Sequence, residues 1–435
     1  MKFYNREKEL ELLKKAEQNS YESSFMTFIV GRRRVGKTRL IKEAFKGKKL
    51  LYFFVAKKNE KLLCEEYKAI IENVLGKKII GQITKFKEIF EYLMNIGESE
   101  QINIAIDEFQ EFQTINPSVY SDMQNIWDEY KLKSKVNLVL SGSIYSLMSK
   151  IFEDSKEPLF GRADRKIVLE PFDVNTLKEI YTDYSMLNAK DFVSFYAITG
   201  GMAKYIEILC NEMALSLDRM IDMVFCDGSF FLDEGREVLI GEFGKDYHTY
   251  FSILSLIAGS KTSRSEIESV LEKSVGGFLE KLEKDYRIIK RVQPVFSKPN
   301  TRNVKYEIID NFLSFWFTFV YKNLSAVEIK NFHYLKKYTI KYLDQFLGKK
   351  LEKYFKEKLA LTNQYSMIGS YWDKKGENEI DIVAVNEMGK RALIAEVKLN
   401  KNKINLQKLK EKSKDILKFL KGYDIEYKGF SLEDV

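Results

Sequence analysis

The chain has 435 residues, with 71 Lys+Arg against 63 Asp+Glu for a formal net charge of +8. A hydrophobic fraction of 45%, 31% charged residues and only 5 Pro exclude intrinsic disorder as the main character, and the length predicts two or three domains with their own cores. No run of about 18 uninterrupted apolar residues occurs, and Met1 to Arg6 leads into a charged helix rather than a signal segment, so the sequence predicts a cytoplasmic protein with no membrane partner.

The first third alternates short apolar runs with helical patterns, which predicts an α/β fold with a parallel sheet covered by helices. Residues 25–30, 50–55, 102–106 and 136–140 are the expected strands, each a nearly continuous apolar run suited to burial on both faces. Between the first strand and a helix opening at Arg39 stands Gly31-Arg32-Arg33-Arg34-Val35-Gly36-Lys37-Thr38, a match to the phosphate-loop pattern G-x-x-x-x-G-K-[ST]. In that context backbone N–H groups and the helix N-terminus face the phosphates of ATP, Lys37 reaches the β/γ oxygens, and the Thr38 hydroxyl ligates Mg2+. The strand ending at Asp107-Glu108 supplies a metal-holding acid, Asp107, and a base for the attacking water, Glu108. The following strand ends at Ser141, placed to sense the γ-phosphate.

From 174 to 244 helical periodicity takes over, as in Leu177, Ile180 and Tyr181, and predicts a helical lid. From 247 to 321 the expected order is three helices and then two short strands, 287–292 and 303–309, around a polar, proline-containing turn; this suggests a winged helix-turn-helix. Its second helix, from about Ser274, would face a DNA groove, and Lys298, Arg302 and Lys305 in the wing could touch phosphate, although packing against protein is an equal alternative. The last third opens with a basic helix, 336–361, followed by strand-like runs at 366–372, 379–385 and 392–397 and a Lys-rich helix, 405–420. Three scattered cysteines and only two histidines, His248 and His333, offer no disulfide framework, zinc pattern or Ser-His-Asp hydrolase.

Six segments carry a resemblance: the opening Phe3-x-x-Arg6-Glu7-x-Glu9-Leu10, the GRRRVGKT loop, IDEFQ at 106–110, LSGS at 140–143, Leu159-Phe160-Gly161-Arg162 before Leu169-Glu170-Pro171-Phe172, and Thr199-Gly200-Gly201. Together they resemble the AAA+-related archaeal-type ATPases among the STAND-like P-loop proteins. The resemblance implies ATP hydrolysis, an oligomer of like chains, and a charge-stabilising or subunit-bridging role for Arg162, with Arg165 second. A departure is the absence of the family's usual Pro two residues after the paired glycines; Met202-Ala203 stands there instead.

In the last third, Asp381 lies on one expected strand and Glu396 and Lys398 on the next, where i and i+2 side chains share a face. Two carboxylates hold a hard cation, Mg2+ or Mn2+, and a lysine stabilises charge on a phosphodiester; Glu352 on the preceding helix could add a further carboxylate. This D…E-x-K arrangement resembles the PD-(D/E)xK nuclease superfamily, which implies a restriction-endonuclease-like α/β fold and a nucleic-acid substrate, DNA before RNA. The expected division is 1–172 ATPase core, 173–245 lid, 246–325 winged helix-turn-helix and 326–435 nuclease-like domain. The function expected is an ATP-driven switch or motor coupled to a metal-dependent nuclease in genome defence or nucleic-acid processing; a STAND-like regulatory ATPase with a non-cleaving C-terminal module is the rival.

Overall fold

The computed structural model describes residues 1–243, 247–298, 301–373 and 378–435. The expected boundary at 245/246 falls outside these residues, as do Pro299 and Asn300 of the expected turn. The chain divides into two compact units, Asn5–Pro171, and Met1–Tyr4 with Phe172–Val435.

The first unit is built on five strands, β1 (Phe25–Val30), β2 (Leu50–Phe54), β3 (Ile102–Asp107), β4 (Val136–Gly142) and β5 (Arg165–Val168). They lie in the order β2-β3-β4-β1-β5, all parallel. Every residue of β3 and β4 is buried, which accounts for their unbroken apolar runs. The registers set Val30 beside Gly142 and Phe54 beside Asp107, so β1, β2, β3 and β4 end along one edge. In an open α/β sheet this carboxyl edge is where ligands bind. β5 was not expected: Arg-Lys-Ile-Val has no apolar run, and only Ile167 is buried. The helix after the phosphate loop is Lys37–Ala44, and its Leu40, Ile41 and Ala44 are buried.

In the second unit helices follow one another from Val174 to Phe243, as the periodicity predicts. Gly200 and Gly201 both have positive φ, +57° and +77°. A Cβ at Gly201 would stand 2.3 Å from the Phe172 carbonyl oxygen, so the turn needs glycine with or without the family's proline. Next come helices Tyr247–Ala258, Arg264–Leu271 and Gly276–Lys284 and an antiparallel pair, β6 (Ile289–Val292) and β7 (Lys305–Ile308). Residues 311–328, given no structure from sequence, are short helical turns with a π-helical stretch, Trp316–Val320.

A helix of thirty residues, Phe332–Leu361, leads into β8 (Met367–Trp372), β9 (Glu379–Asn386), β10 (Arg391–Val397) and β11 (Asp424–Phe430). The sheet order is β11-β10-β9-β8, with β10 and β11 parallel and the other pairs antiparallel. Helix Leu406–Leu417 connects the parallel pair and buries Leu409 and Ile416 against Ile380, Val383 and Ile394. The β6–β7 hairpin docks on this sheet: Val295 N–H donates to Ser370 O at 2.9 Å, and Trp372 Nε1 donates to Asn303 Oδ1 at 2.9 Å. Lys305, one of the basic residues expected to touch phosphate, pairs with Glu379 at 3.0 Å and lies over the Trp372 ring, so it is engaged within the chain.

Three lysines of the long helix turn inward. Lys353 Nζ donates to Ile309 O (2.5 Å) and Asn311 Oδ1 (2.9 Å), and Lys356 Nζ donates to Ser370 Oγ (2.6 Å). Lys350 is buried beside the Phe346 ring, and burial together with the Lys353 ammonium pulls its pKa down to about 7 from 10.5. Its charge therefore destabilises the fold fully below pH 7, and the penalty disappears as pH rises from about 7 to 10.5. Lys350→Met should raise Tm most near pH 6 and progressively less toward pH 10. A gain independent of pH in thermal denaturation would contradict this burial.

Candidate functional site

The carboxyl edge of the first sheet gathers the phosphate loop, Asp107 and Ser141. Gly36 has φ +105° at the N-cap of Lys37–Ala44, a conformation a side chain would strain. A Cβ at Gly31 would stand 2.6 Å from Leu169 O, so the first loop glycine permits close approach to the end of β5. Lys37 Nζ lies on the loop, donating to Gly31 O at 2.8 Å and Arg32 O at 3.3 Å.

Asp107, 3% exposed, is the hub. Its Oδ2 accepts from Thr38 Oγ1 at 2.7 Å and from the Tyr52 hydroxyl; its Oδ1 accepts from Ser141 Oγ at 2.6 Å and from Glu108 N–H at 3.1 Å. A buried carboxylate needs such donors to offset desolvation. Burial and the Asp107 charge push the Tyr52 hydroxyl well above its ordinary pKa, so it remains a donor. Ser141, expected to sense the γ-phosphate, donates its hydroxyl to Asp107.

Glu108 adopts φ +56° and accepts from Gln110 Nε2 at 2.6 Å and Ser143 Oγ at 2.7 Å. Arg162 forms a two-pronged pair with Asp128, Nε to Oδ1 at 3.0 Å and Nη2 to Oδ2 at 2.7 Å, and donates to Phe160 O. Arg165, the second candidate, donates to Leu12 O at 2.5 Å and lies over the Phe25 ring. Arg6, 8% exposed, ties the opening segment to Glu170 O at 2.6 Å. Tyr52, Gln110 and Ser143 were not assigned from sequence. Gln110 and Ser143 do stand inside the IDEFQ and LSGS segments, whereas Tyr52 is one aromatic in an apolar run and carries no such signal.

In the second unit, Lys398 Nζ lies 3.3 Å from Asp381 Oδ2 and 3.4 Å from Glu396 Oε1, so the three residues meet. Val397 N–H donates to Asp381 at 2.8 Å, and Asn405 N–H donates to Glu396 at 3.0 Å. Burial opposes the Lys398 charge, but the two carboxylates outweigh it and raise its pKa. Burial and the Asp381 carboxylate push Glu352 up to about 8, which sets it against the same charge cluster. Among the described residues no group of three or more His, Cys, Asp or Glu is arranged to hold a metal ion. Any cation here would rest on two carboxylates with water and substrate oxygens completing its shell.

The donor sets differ in fit. Thr38 and Asp107 offer adjacent hydroxyl and carboxylate oxygens, the hard ligands Mg2+ takes beside phosphate. Asp381 and Glu396 fit a hard cation once Lys398 yields one of its two pairings.

Two family models match separate stretches of the chain. A family described as "ATPase domain predominantly from Archaea" matches residues 3–209, and one described as "Archaea bacterial proteins of unknown function" matches 316–414. The Methanocaldococcus jannaschii protein MJECL04 is 30% identical over 407 residues, covering 91% of this chain and 87% of that one. Among solved structures, the Walker-type ATPase PABY2304 of Pyrococcus abyssi aligns with a TM-score of 0.54 at 19% identity, over 72% of this chain and 96% of that one. The Aeropyrum pernix ORC2 protein reaches a TM-score of only 0.38 at 16% identity, over 73% and 95%. Among the described residues no helix is long and apolar enough to cross a membrane. Lys37→Ala should abolish ATP hydrolysis and weaken ATP binding, while Glu108→Gln should keep binding and lose about 100-fold or more in turnover; equal loss of binding in both, by calorimetry, would contradict the separate roles. With a relative matched along nearly its whole length and the phosphate-loop domain matched in its first half, the chain belongs to the archaeal-type P-loop ATPase family.

Proposed function

We propose that the protein is an ATP-hydrolysing switch whose C-terminal sheet carries a metal-dependent phosphodiester-cleaving site for nucleic acid, DNA before RNA. The observation that carries the first half is the convergence of Thr38, Tyr52 and Ser141 on one buried carboxylate at the carboxyl edge of the sheet. In this reading Thr38 would hold Mg2+ directly and Asp107 through water, and the ion would neutralise charge on the β/γ oxygens. Lys37 exchanges its loop carbonyls for phosphate oxygens. Glu108 takes the proton of the attacking water once its carboxylate is free of Gln110 and Ser143. Arg162, held by Asp128 in a single chain, serves as a subunit-bridging arginine only in an oligomer, where an acidic or phosphate partner displaces Asp128. Its replacement by Ala should then lower turnover more than ATP affinity.

At the C-terminal sheet, Asp381 and Glu396 would hold Mg2+ or Mn2+, with Glu352 flanking, and the ion would activate water. Lys398 stabilises the charge developing on the phosphate. Within the second unit we read a lid at 173–245, a winged helix at 246–325 and a restriction-endonuclease-like domain at 326–435. The docked β6–β7 hairpin favours a packing role for the wing over DNA contact.

One observation favours a non-cleaving regulatory module instead: Lys398 is paired to both carboxylates, and no third one completes a cluster among the described residues. A digest of single- and double-stranded substrates with Mg2+ or Mn2+, with and without ATP, separates the readings. Cleavage should disappear in Asp381→Ala and Glu396→Ala along with Mn2+ binding, while Lys398→Ala should keep much of the binding and cut poorly. Wild-type protein that neither cuts nor binds metal there would establish the regulatory reading.

A further inference from the structure

The first half of the helix Phe332–Leu361 bears a feature that neither the ATP site nor the C-terminal carboxylates use. Tyr334, Tyr338 and Tyr342 recur every four residues and therefore run along one face. Tyr334 and Tyr342 are 47% and 39% exposed, and Tyr338 between them is half-buried. Their rings touch in series, with centroids 6.0 Å apart for Tyr334–Tyr338 and 4.8 Å for Tyr338–Tyr342. The three rings thus form a preformed strip whose ordering cost is already met in the free protein.

Positive charge borders the strip. Lys341 Nζ stands over the Tyr342 ring at 5.4 Å, and Lys322 Nζ, from a neighbouring turn, lies 6.0 Å from the Tyr338 ring. Lys337 is exposed on the same face, and neither it nor Lys341 has a carboxylate partner among the described residues. The nearby acid on this half of the helix, Asp344, is paired with Lys190 at 2.8 Å.

We infer that this strip is a binding platform for single-stranded DNA. Stacked rings take the π-faces of bases whatever their identity, and flanking ammonium groups neutralise phosphates. Successive tyrosines step about 6 Å along the helix, wider than the roughly 3.4 Å step of a stacked strand, so the platform suits an extended strand with splayed bases rather than a duplex. Tyr338 precedes Glu352 by fourteen residues, about 21 Å along the helix, so the platform is separate from the carboxylate cluster. The choice of DNA over RNA rests on the function proposed above; the platform itself does not.

The test is fluorescence anisotropy of a labelled dT 20-mer with the full chain carrying Asp381→Ala, without divalent metal, so that cleavage or its absence cannot affect the result. Tyr338→Ala should weaken binding about 5- to 100-fold, and Tyr338→Phe, which keeps the ring, should stay within about twofold. Lys337→Glu with Lys341→Glu should weaken binding and flatten its salt dependence by more than one logarithmic unit. Affinity unchanged by Tyr338→Ala would overturn the proposal, as would a preference for duplex. Tighter binding of a U 20-mer would overturn the choice of DNA. Loss of self-association in sedimentation, with DNA binding intact, would reassign the strip to contact between copies of the chain.

Discussion

The first unit depends on satisfying the hydrogen-bonding needs of one carboxylate in a nearly dry place. Asp107 is almost fully buried and would be costly there without partners. The hydroxyls that satisfy it come from three different segments, the helix after the phosphate loop, β2 and β4. Satisfying the charge therefore also fixes the relative placement of those segments, and stabilisation and site geometry are one arrangement. Glu108 is the complement: next in sequence, it sits in a left-handed conformation and is held by the Gln110 and Ser143 side chains.

In the second unit the corresponding constraint is the docking of the β6–β7 hairpin on the last sheet. Val295 enters the core shared with Ile380, Val383 and Leu409, and the facing position on β8 is Gly369, where a Cβ would stand 2.7 Å from Val295. Phe296 stacks on Phe419 at 5.0 Å. These contacts explain why segments that the sequence divides into separate modules pack as one body.

Legibility followed burial. β1, β3 and β4 are covered on both faces and read as continuous apolar runs, and the phosphate loop is a local motif that needs no tertiary information. β5, with Arg165 and Lys166 in four residues, and β11, where Asp424, Glu426 and Lys428 alternate with apolar residues, are edge strands whose charged positions hide them. The segment 311–320 failed for the opposite reason: Phe312, Phe315, Trp316, Phe317 and Phe319 are all buried, so no amphipathic period marks a helix. The meeting of Asp381, Glu396 and Lys398 was readable because antiparallel neighbours and the i, i+2 rule place them together. Tyr52 was not readable, because its role arises from β2 pairing with β3, a register that no local pattern encodes. Ser141 stands at the end of β4, where the apolar run places it, and its hydroxyl donates to Asp107, a pairing that depends on β4 lying beside β3.

The most direct test of the account is calorimetric titration with ATP, with and without Mg2+, of the wild-type chain and Asp107→Asn. The account predicts that Mg2+ tightens ATP binding to the wild type and that Asp107→Asn keeps metal-free affinity while losing that enhancement. An Asp107→Asn protein that retains the full Mg2+ enhancement, or a wild type that binds no ATP, would contradict it.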